Sequence, residues 1–307
     1  MTEIVIASLM TMMTAATPLV YAATGELICE KSGVLNLGLE GMMLIGAVFG
    51  FATATLTGSA PLGLVGAMGS GLIASMIFAI LTLQLMSNQV ATGLALTIFG
   101  TGLSALVGFD YVGETIERMG PIYIPFLSNL PIIGKLIFGN DLLIYLGLAL
   151  LLGTAFFLNK TRWGMILKAV GDSDVSAHAI GYPVVAIRFS AVLFGGMMAG
   201  LAGGYLSLVY TPLWAENMTA GRGWIALALV VFASWHPIKV LIGAVLFGGI
   251  TIIQLNAQAF GLGLPAAFMS MLPYLATIFV LVFISRDPIK IRLNAPACLG
   301  KPFRDDR

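Results

Sequence analysis

Glu26, Glu30, Lys31, Asn36 and Glu40 crowd into residues 25–41, with long apolar runs on both sides. Ionisable and amide groups in such surroundings are the ones that could handle an ion, a proton or a polar solute. They are costly there. A charged Asp, Lys or Arg at the centre of a membrane helix costs about 2.5–3.5 kcal/mol, so these side chains are expected at an interface or in a wet cleft, with Gly25 and Gly33 supplying breaks in the chain. Next along the sequence, Leu35, Leu37 and Leu39 alternate with Asn36, Gly38 and Glu40. Residues four apart share a side on a helix and on a strand alike, so Asn36 and Glu40 are expected to face protein or water together. Three uses of that side stay open. The two residues can pin neighbouring helices through hydrogen bonds; they can line a translocation path or gate, where Glu40→Gln would keep much of the transport; or Glu40 can be the titrating site of an ion-driven carrier, for which Glu40→Gln would abolish gradient-driven accumulation.

Other chemistry is thin. No G-x-x-x-x-G-K-[ST] loop is present to cradle ATP phosphates, and there is no H-E-x-x-H and no cluster of cysteines. Cys29 and Cys298 read as two free thiols, His178 has no companion at metal-ligand spacing, and Trp235, His236 and Pro237 have no nucleophile beside them. An enzyme and a metal site are therefore not expected. Amides are better represented: Asn88, Gln89, Gln254, Asn256 and Gln258 fall near the ends of apolar runs. Phe99, Trp214, Trp224 and Phe232 could stack on an aromatic solute, or form interfacial belts while the amides bond helices together. The apolar runs are nearly free of cations, which disfavours an anionic sugar phosphate as cargo, since phosphate calls for charge-assisted bonds.

The elements that must position these residues follow from composition. Of 307 residues 59% are hydrophobic and only 9% charged, with a mean hydropathy of +0.99, whereas a soluble domain is about 25% charged. Such a chain cannot cover a surface facing water. Its net charge of +1 gives no basic footprint for nucleic acid. Apolar runs mark candidate spans at 4–24, 36–56, 61–83, 89–108, 141–159, 189–210, 223–235, 239–256 and 270–285, which predicts an all-α polytopic transmembrane helix bundle of about eight to ten spans. The first run is read as a membrane helix, because Glu3 stands where a secretory leader has a basic region. The run 223–235 is too short to cross a core of about 30 Å upright, and is expected to continue into Pro237 or to pair with 239–256 as a broken element.

Short cytoplasmic loops are enriched in Lys and Arg. Lys160, Arg162, Lys168 and Arg188 place 160–188 in the cytoplasm, and Arg286, Lys290, Arg292, Lys301, Arg304 and Arg307 do the same for the tail. The acidic stretch 109–141 reads as an external loop. Residues 1–288 then form one transmembrane domain and 289–307 a cytoplasmic basic tail; nine crossings would put the N-terminus outside. Gly196, Gly200 and Gly204 lay a smooth ridge along one helix face, where another backbone can approach closely. Between Lys160 and Arg188 the chain is too polar to cross, and its apolar residues suit one or two short helices lying on the membrane or docking a cytoplasmic partner.

Glu26 in its Gly25-Glu26 step, the run Glu30-Lys31-Ser32-Gly33-Val34-Leu35-Asn36-Leu37-Gly38-Leu39-Glu40-Gly41-Met42, the steps Ala169-Val170-Gly171-Asp172 and Ala179-Ile180-Gly181, and Gly200-Leu201-Ala202-Gly203-Gly204 occur in this order. Together they resemble the permease subunits of ABC importers that handle branched-chain amino acids, ribose-type sugars and nucleosides. The stretch Glu216 to Leu229, then Trp235 and Pro237, looks most like the nucleoside branch, and the chain like its shorter permease. The resemblance implies import driven by a partner chain that binds ATP and Mg, with no cofactor in this chain. It implies a second, longer permease subunit, an extracytoplasmic solute-binding lipoprotein, and a place in the cytoplasmic (inner) membrane of a prokaryote with the C-terminus inside. It further implies that 160–188 holds the ATPase-coupling element, with Gly164, Lys168, Gly171, Asp172 and Gly181 as its candidate residues. Asn36, Glu40, Asn88, Gln89 and Trp224 are the candidates for the substrate path. Simple sugars or branched-chain amino acids are the alternative cargo, and an ion-gradient-driven secondary transporter is the rival class.

Overall fold

The computed structural model describes residues 2–117, 119–120, 139–259, 265, 268–269, 271–284 and 294–303. Nine long or membrane-depth helices among the described residues match the nine apolar runs: α1 Thr2–Lys31, α2 Leu39–Thr57, α3 Ala60–Ala79, α4 Gln89–Gly108, α5 Leu142–Lys160, α8 Val184–Tyr205, α9 Arg222–Phe232, α10 Pro237–Ala259 and α11 Leu272–Ile284. Two shorter ones, α6 Arg162–Asp172 and α7 Asp174–Ala179, occupy the segment read as extramembranous. Six of the helices are long and apolar enough to cross a membrane. The described residues contain no β-strand, so the chain is an all-α polytopic bundle.

Polar residues at the run boundaries start the helices, as the backbone donors of a first turn require. The Asn88 side chain accepts from the N–H of Ala91 at 3.0 Å, Asp141 from Ile144 at 3.1 Å, Thr161 from Gly164 at 3.1 Å and Ser173 from Ser176 at 3.3 Å. Helices α3 and α8 both end in a π-helical turn, Ile80–Gln84 and Leu206–Tyr210.

Helix α8 is the centre, packed against α1, α2 and α3. Its glycines let it come that close. A Cβ on Gly196 would strike Ser75, one on Gly200 the carbonyl of Ala67, one on Gly203 the carbonyl of Met43, and one on Gly204 the Cβ of Ala67 at 2.5 Å. The facing helices answer with their own glycines: Gly46 of α2 lies on the backbone of Gly200, and Gly71 of α3 on Gly196 and Gly200. Helix α2 is consequently buried along most of its length, whereas α4 buries only Gln89, Gly93, Leu96, Gly100, Ser104 and Gly108, spaced three or four apart on one face.

The first polar stretch corrects the sequence expectation. Gly25 does not break α1, which runs unbroken to Lys31; a Cβ there would lie 2.9 Å from the carbonyl of Gly195, so this glycine serves close packing. Glu26 and Glu30 are therefore helical and fully buried in the last turns of α1, not open to a wet cleft. Gly33 does mark the break, with φ of +93°. Beyond it residues 34–38 are a loop and α2 starts at Leu39, so Asn36 and Glu40 do not lie on one element and the four-residue spacing does not align them, although both are buried in protein as expected.

Candidate functional site

The acidic stretch is an anchor for a helix that enters the sequence some 180 positions later. One oxygen of the Glu40 carboxylate accepts from the Thr219 hydroxyl at 2.5 Å and the N–H of Gly221 at 2.8 Å; the other accepts from the N–H of Gly223 at 2.5 Å. These groups are the N-terminus of α9, where free N–H groups and the helix dipole favour an anion. The other end of α9 is held by a second glutamate. Past Phe232 the chain turns through Ser234 and Trp235, at φ of +49° and +55°, and the Trp235 indole N–H donates to Glu30. A left-handed conformation is strained for a bulky residue; the turn is closed by the Trp235 N–H donating to the Val230 carbonyl at 3.0 Å, and the buried indole bond fixes the side chain. Eleven residues rise only about 16 Å, so α9 reaches about halfway through a membrane core, fixed at both ends by acids of one motif.

Glu26 accepts from the backbone N–H of Asn36 at 3.3 Å, the Asn36 amide closes on the N–H of Gly38 at 3.0 Å, and Gln89 accepts from the N–H of Leu35 at 2.9 Å. Asn36, Glu40 and Gln89 thus order the loop and helix ends around residues 33–41, all three buried. Asn88 stands apart, exposed at the start of α4, and Trp224 is 36% exposed on the first turn of α9. Of the other candidates, Trp214 and Phe232 are buried and Phe99 is exposed; the side chains of Asn256 and Gln258 lie outside the described residues.

The coupling candidates divide by exposure. Gly164 lies on the carbonyl of Phe157 and Gly171 on the carbonyl of Lys31, so both face into the protein; Lys168 is half-buried, while Asp172 and Gly181 are exposed. The outward side of α6 and α7 is unexpectedly apolar, with Trp163, Met165, Val175 and Ile180 all more than half exposed. Beneath them sits Arg188, which sequence reasoning used only as a topology marker. It is fully buried and donates to the Ser32 carbonyl at 3.1 Å, the Lys301 carbonyl at 3.3 Å and the Asp174 carboxylate at 3.1 Å.

Sidedness follows from helix length. Lys31, Gly171, Arg188 and residues 294–303 gather at one end of the bundle, in contact with one another. Met10 of α1 and Tyr210 after α8 lie a further 30 Å or so along their helices, at the opposite end, where they line a cavity of about 590 Å³ together with Thr11, Thr14, Asn140 and Asp141. Asp141, expected only as part of an acidic loop, also accepts from the buried Tyr205 hydroxyl at 3.0 Å, a tie across the chain that no local spacing reveals.

Residues 8–281 match the family described as branched-chain amino acid transport system, permease component. A Haloferax volcanii chain provisionally named as the glucose ABC transporter permease protein TsgC13 is 40% identical, with 94% of each chain covered. The nucleoside ABC transporter permease protein NupC of Lactococcus lactis is 32% identical over 87% of this chain and 88% of its own. The guanosine ABC transporter permease protein NupQ of Bacillus subtilis is 32% identical over 94% of this chain and 93% of its own.

Proposed function

The chain belongs to this family of transport-system permease components, is a permease subunit of an ABC importer, and from that premise we propose that its cargo is a nucleoside. The observation that carries the substrate is the near full-length similarity to NupC and NupQ, named for nucleosides and guanosine in two organisms. The higher identity to TsgC13 favours a second reading, a simple sugar. Both cargoes are neutral and rich in hydroxyl groups, which suits the cavity edged by Thr11, Thr14, Asp141 and Tyr210 at the end away from the basic segment.

The remaining parts of the machine belong to the same reading. A separate ATPase binds ATP and Mg and docks on α6 and α7; a longer permease completes the transmembrane pair; an external lipoprotein delivers the solute and sets most of the selectivity. The chain sits in a prokaryotic cytoplasmic membrane with the end bearing Lys31, Arg188 and 294–303 inside, where positive charge favours it. Glu40, engaged by three donors at the entry to α9, acts as a hinge pin beside the path in this reading, and Trp224, next to Gly223, is the candidate for stacking on a base.

Uptake of labelled guanosine, glucose, ribose and leucine by cells carrying the transporter with its partner chains decides the cargo. Guanosine accumulation that survives collapse of the ion gradients and stops when ATP is depleted supports the proposal. Glucose uptake without nucleoside uptake moves the assignment to the second reading, and accumulation that tracks a proton or sodium gradient at constant ATP refutes the class.

A further inference from the structure

Residues 294–303 do not hang free below the bundle. The N–H of Cys298 donates to the carbonyl of Gly171 at 2.9 Å and the N–H of Gly300 to the carbonyl of Gly33 at 3.1 Å, so the segment is stitched on one side to the end of α6 and on the other to the turn after α1. The Lys31 ammonium donates to the carbonyl of Asn294 at 2.7 Å. Phe303 packs on the buried cluster of Val170, Ala177 and Val184, its ring 5.4 Å from that of His178 on α7. Arg188 closes the assembly: it donates to Ser32 of the α1–α2 turn, to Asp174 of α7 and to Lys301 of the tail, and it also faces the Cys298 thiol of the tail. A buried guanidinium needs its charge paired and its donors satisfied, so these three elements cannot shift independently without stranding it.

We propose that residues 294–303 and Arg188 form a strap through which displacement of α7 is passed to the end of α1, and so to the turn beside Glu26 and Glu30. The inference rests on the reading of α6 and α7 as the ATPase-docking element. It makes Arg188 a positioning residue, and the tail a working part of energy coupling instead of a solvated appendage. Its two central bonds run backbone to backbone, so substitution of tail side chains leaves them in place and deletion removes them.

The test uses the complete complex, with a chain ending at residue 293 and, separately, Arg188→Lys, whose ammonium cannot reproduce the planar fork. Both variants should retain the ATPase on co-purification and keep basal ATP hydrolysis within twofold, while solute-stimulated hydrolysis and transport per ATP fall at least fivefold. Truncation that leaves the transport-to-ATP ratio within twofold overturns the proposal, and so does loss of the ATPase from the truncated complex, which would make the tail a docking surface. A wild-type chain that binds no ATPase would refute the importer reading itself, an outcome distinct from either. Asp172→Cys supplies a further arm, read only as oxidised against reduced protein of that same variant because Asp172 is a coupling candidate and Cys298 also faces Arg188; Cys298 Sγ lies 3.6 Å from the Asp172 carbonyl. Oxidation should link positions 172 and 298 and leave transport within twofold of the same variant when reduced. Transport lost on oxidation and restored by reductant would show that the strap has to open, against the proposal.

Discussion

Glu40, in the first turn of α2, accepts the backbone N–H of Gly223, 183 residues further along the chain, at 2.5 Å. Two helix N-termini therefore converge on one carboxylate that is only 5% exposed. A Cβ on Gly223 would lie 2.6 Å from the Cα of Glu40, so the contact depends on a bare backbone as well as on the acid.

The sequence alone would let a path-lining Glu40 tolerate the amide, but with three donors on its carboxylate Glu40→Gln is expected to be damaging. Both carboxylate oxygens are acceptors here, and an amide supplies only one, which leaves the N–H of Gly223 or the pair from Thr219 and Gly221 facing a donor. A buried group stripped of its partner costs about 1–3 kcal/mol. The thermal midpoint in detergent should fall measurably, and Thr219→Val, which removes one of three bonds, should cost less. A Gln variant as stable as wild type would show that α9 does not depend on this anchor.

Trp235→Phe removes the indole N–H from Glu30 while keeping the aromatic bulk. Its cost is expected near 1–3 kcal/mol, and limited proteolysis at the 233–236 turn should quicken. Unchanged cleavage there would remove Glu30 from the list of contacts that hold the turn.

Gly200→Ala tests the glycine ridge. The added methyl group meets the carbonyl of Ala67, which cannot move without α3, and overpacking of this kind costs about 1–3 kcal/mol. Gly102→Ala is the matched control, since nothing lies within 4 Å of the position where its Cβ would stand. There the greater helix propensity of Ala should leave stability unchanged or raised by up to about 1 kcal/mol. Equal effects of the two substitutions would contradict the packing.

Orientation is checked with the two thiols as they stand. Cys29 is fully buried and Cys298 partly exposed, so an impermeant thiol reagent should modify inside-out vesicles at Cys298 and leave intact cells unlabelled. Labelling of intact cells would invert the topology.

The helices were legible in the sequence wherever a run was apolar throughout: 89–108 and 141–159 are matched by Gln89–Gly108 and Leu142–Lys160 to within a residue. Helix α1 reads short in the sequence because Glu26 and Glu30 look too polar for a helix interior, whereas each accepts one bond from a group outside the helix, the Asn36 N–H and the Trp235 indole, that tertiary contact brings in. The ridge of Gly196, Gly200 and Gly204 could be read because its signal lies in spacing alone. The partners of Glu40, and the Ser32 and Lys301 carbonyls that meet Arg188, could not, since they lie more than a hundred residues away along the chain. The tail 289–307 offered five basic residues and invited an electrostatic reading, while its attachment runs largely through backbone groups that every residue possesses.

The meeting of α2, α3 and α8 through bare backbone has a mechanical consequence. Ordinary helix contacts accommodate motion by rotamer changes, as side chains trade gaps with one another. Where Gly46 rests on Gly200 and Gly71 on Gly196 there are no rotamers to trade, and the three helices can only move together, as one plate. The places left for side chains to yield lie at its margins: along α9, hung between Glu40 and Glu30, and along α10 beyond it.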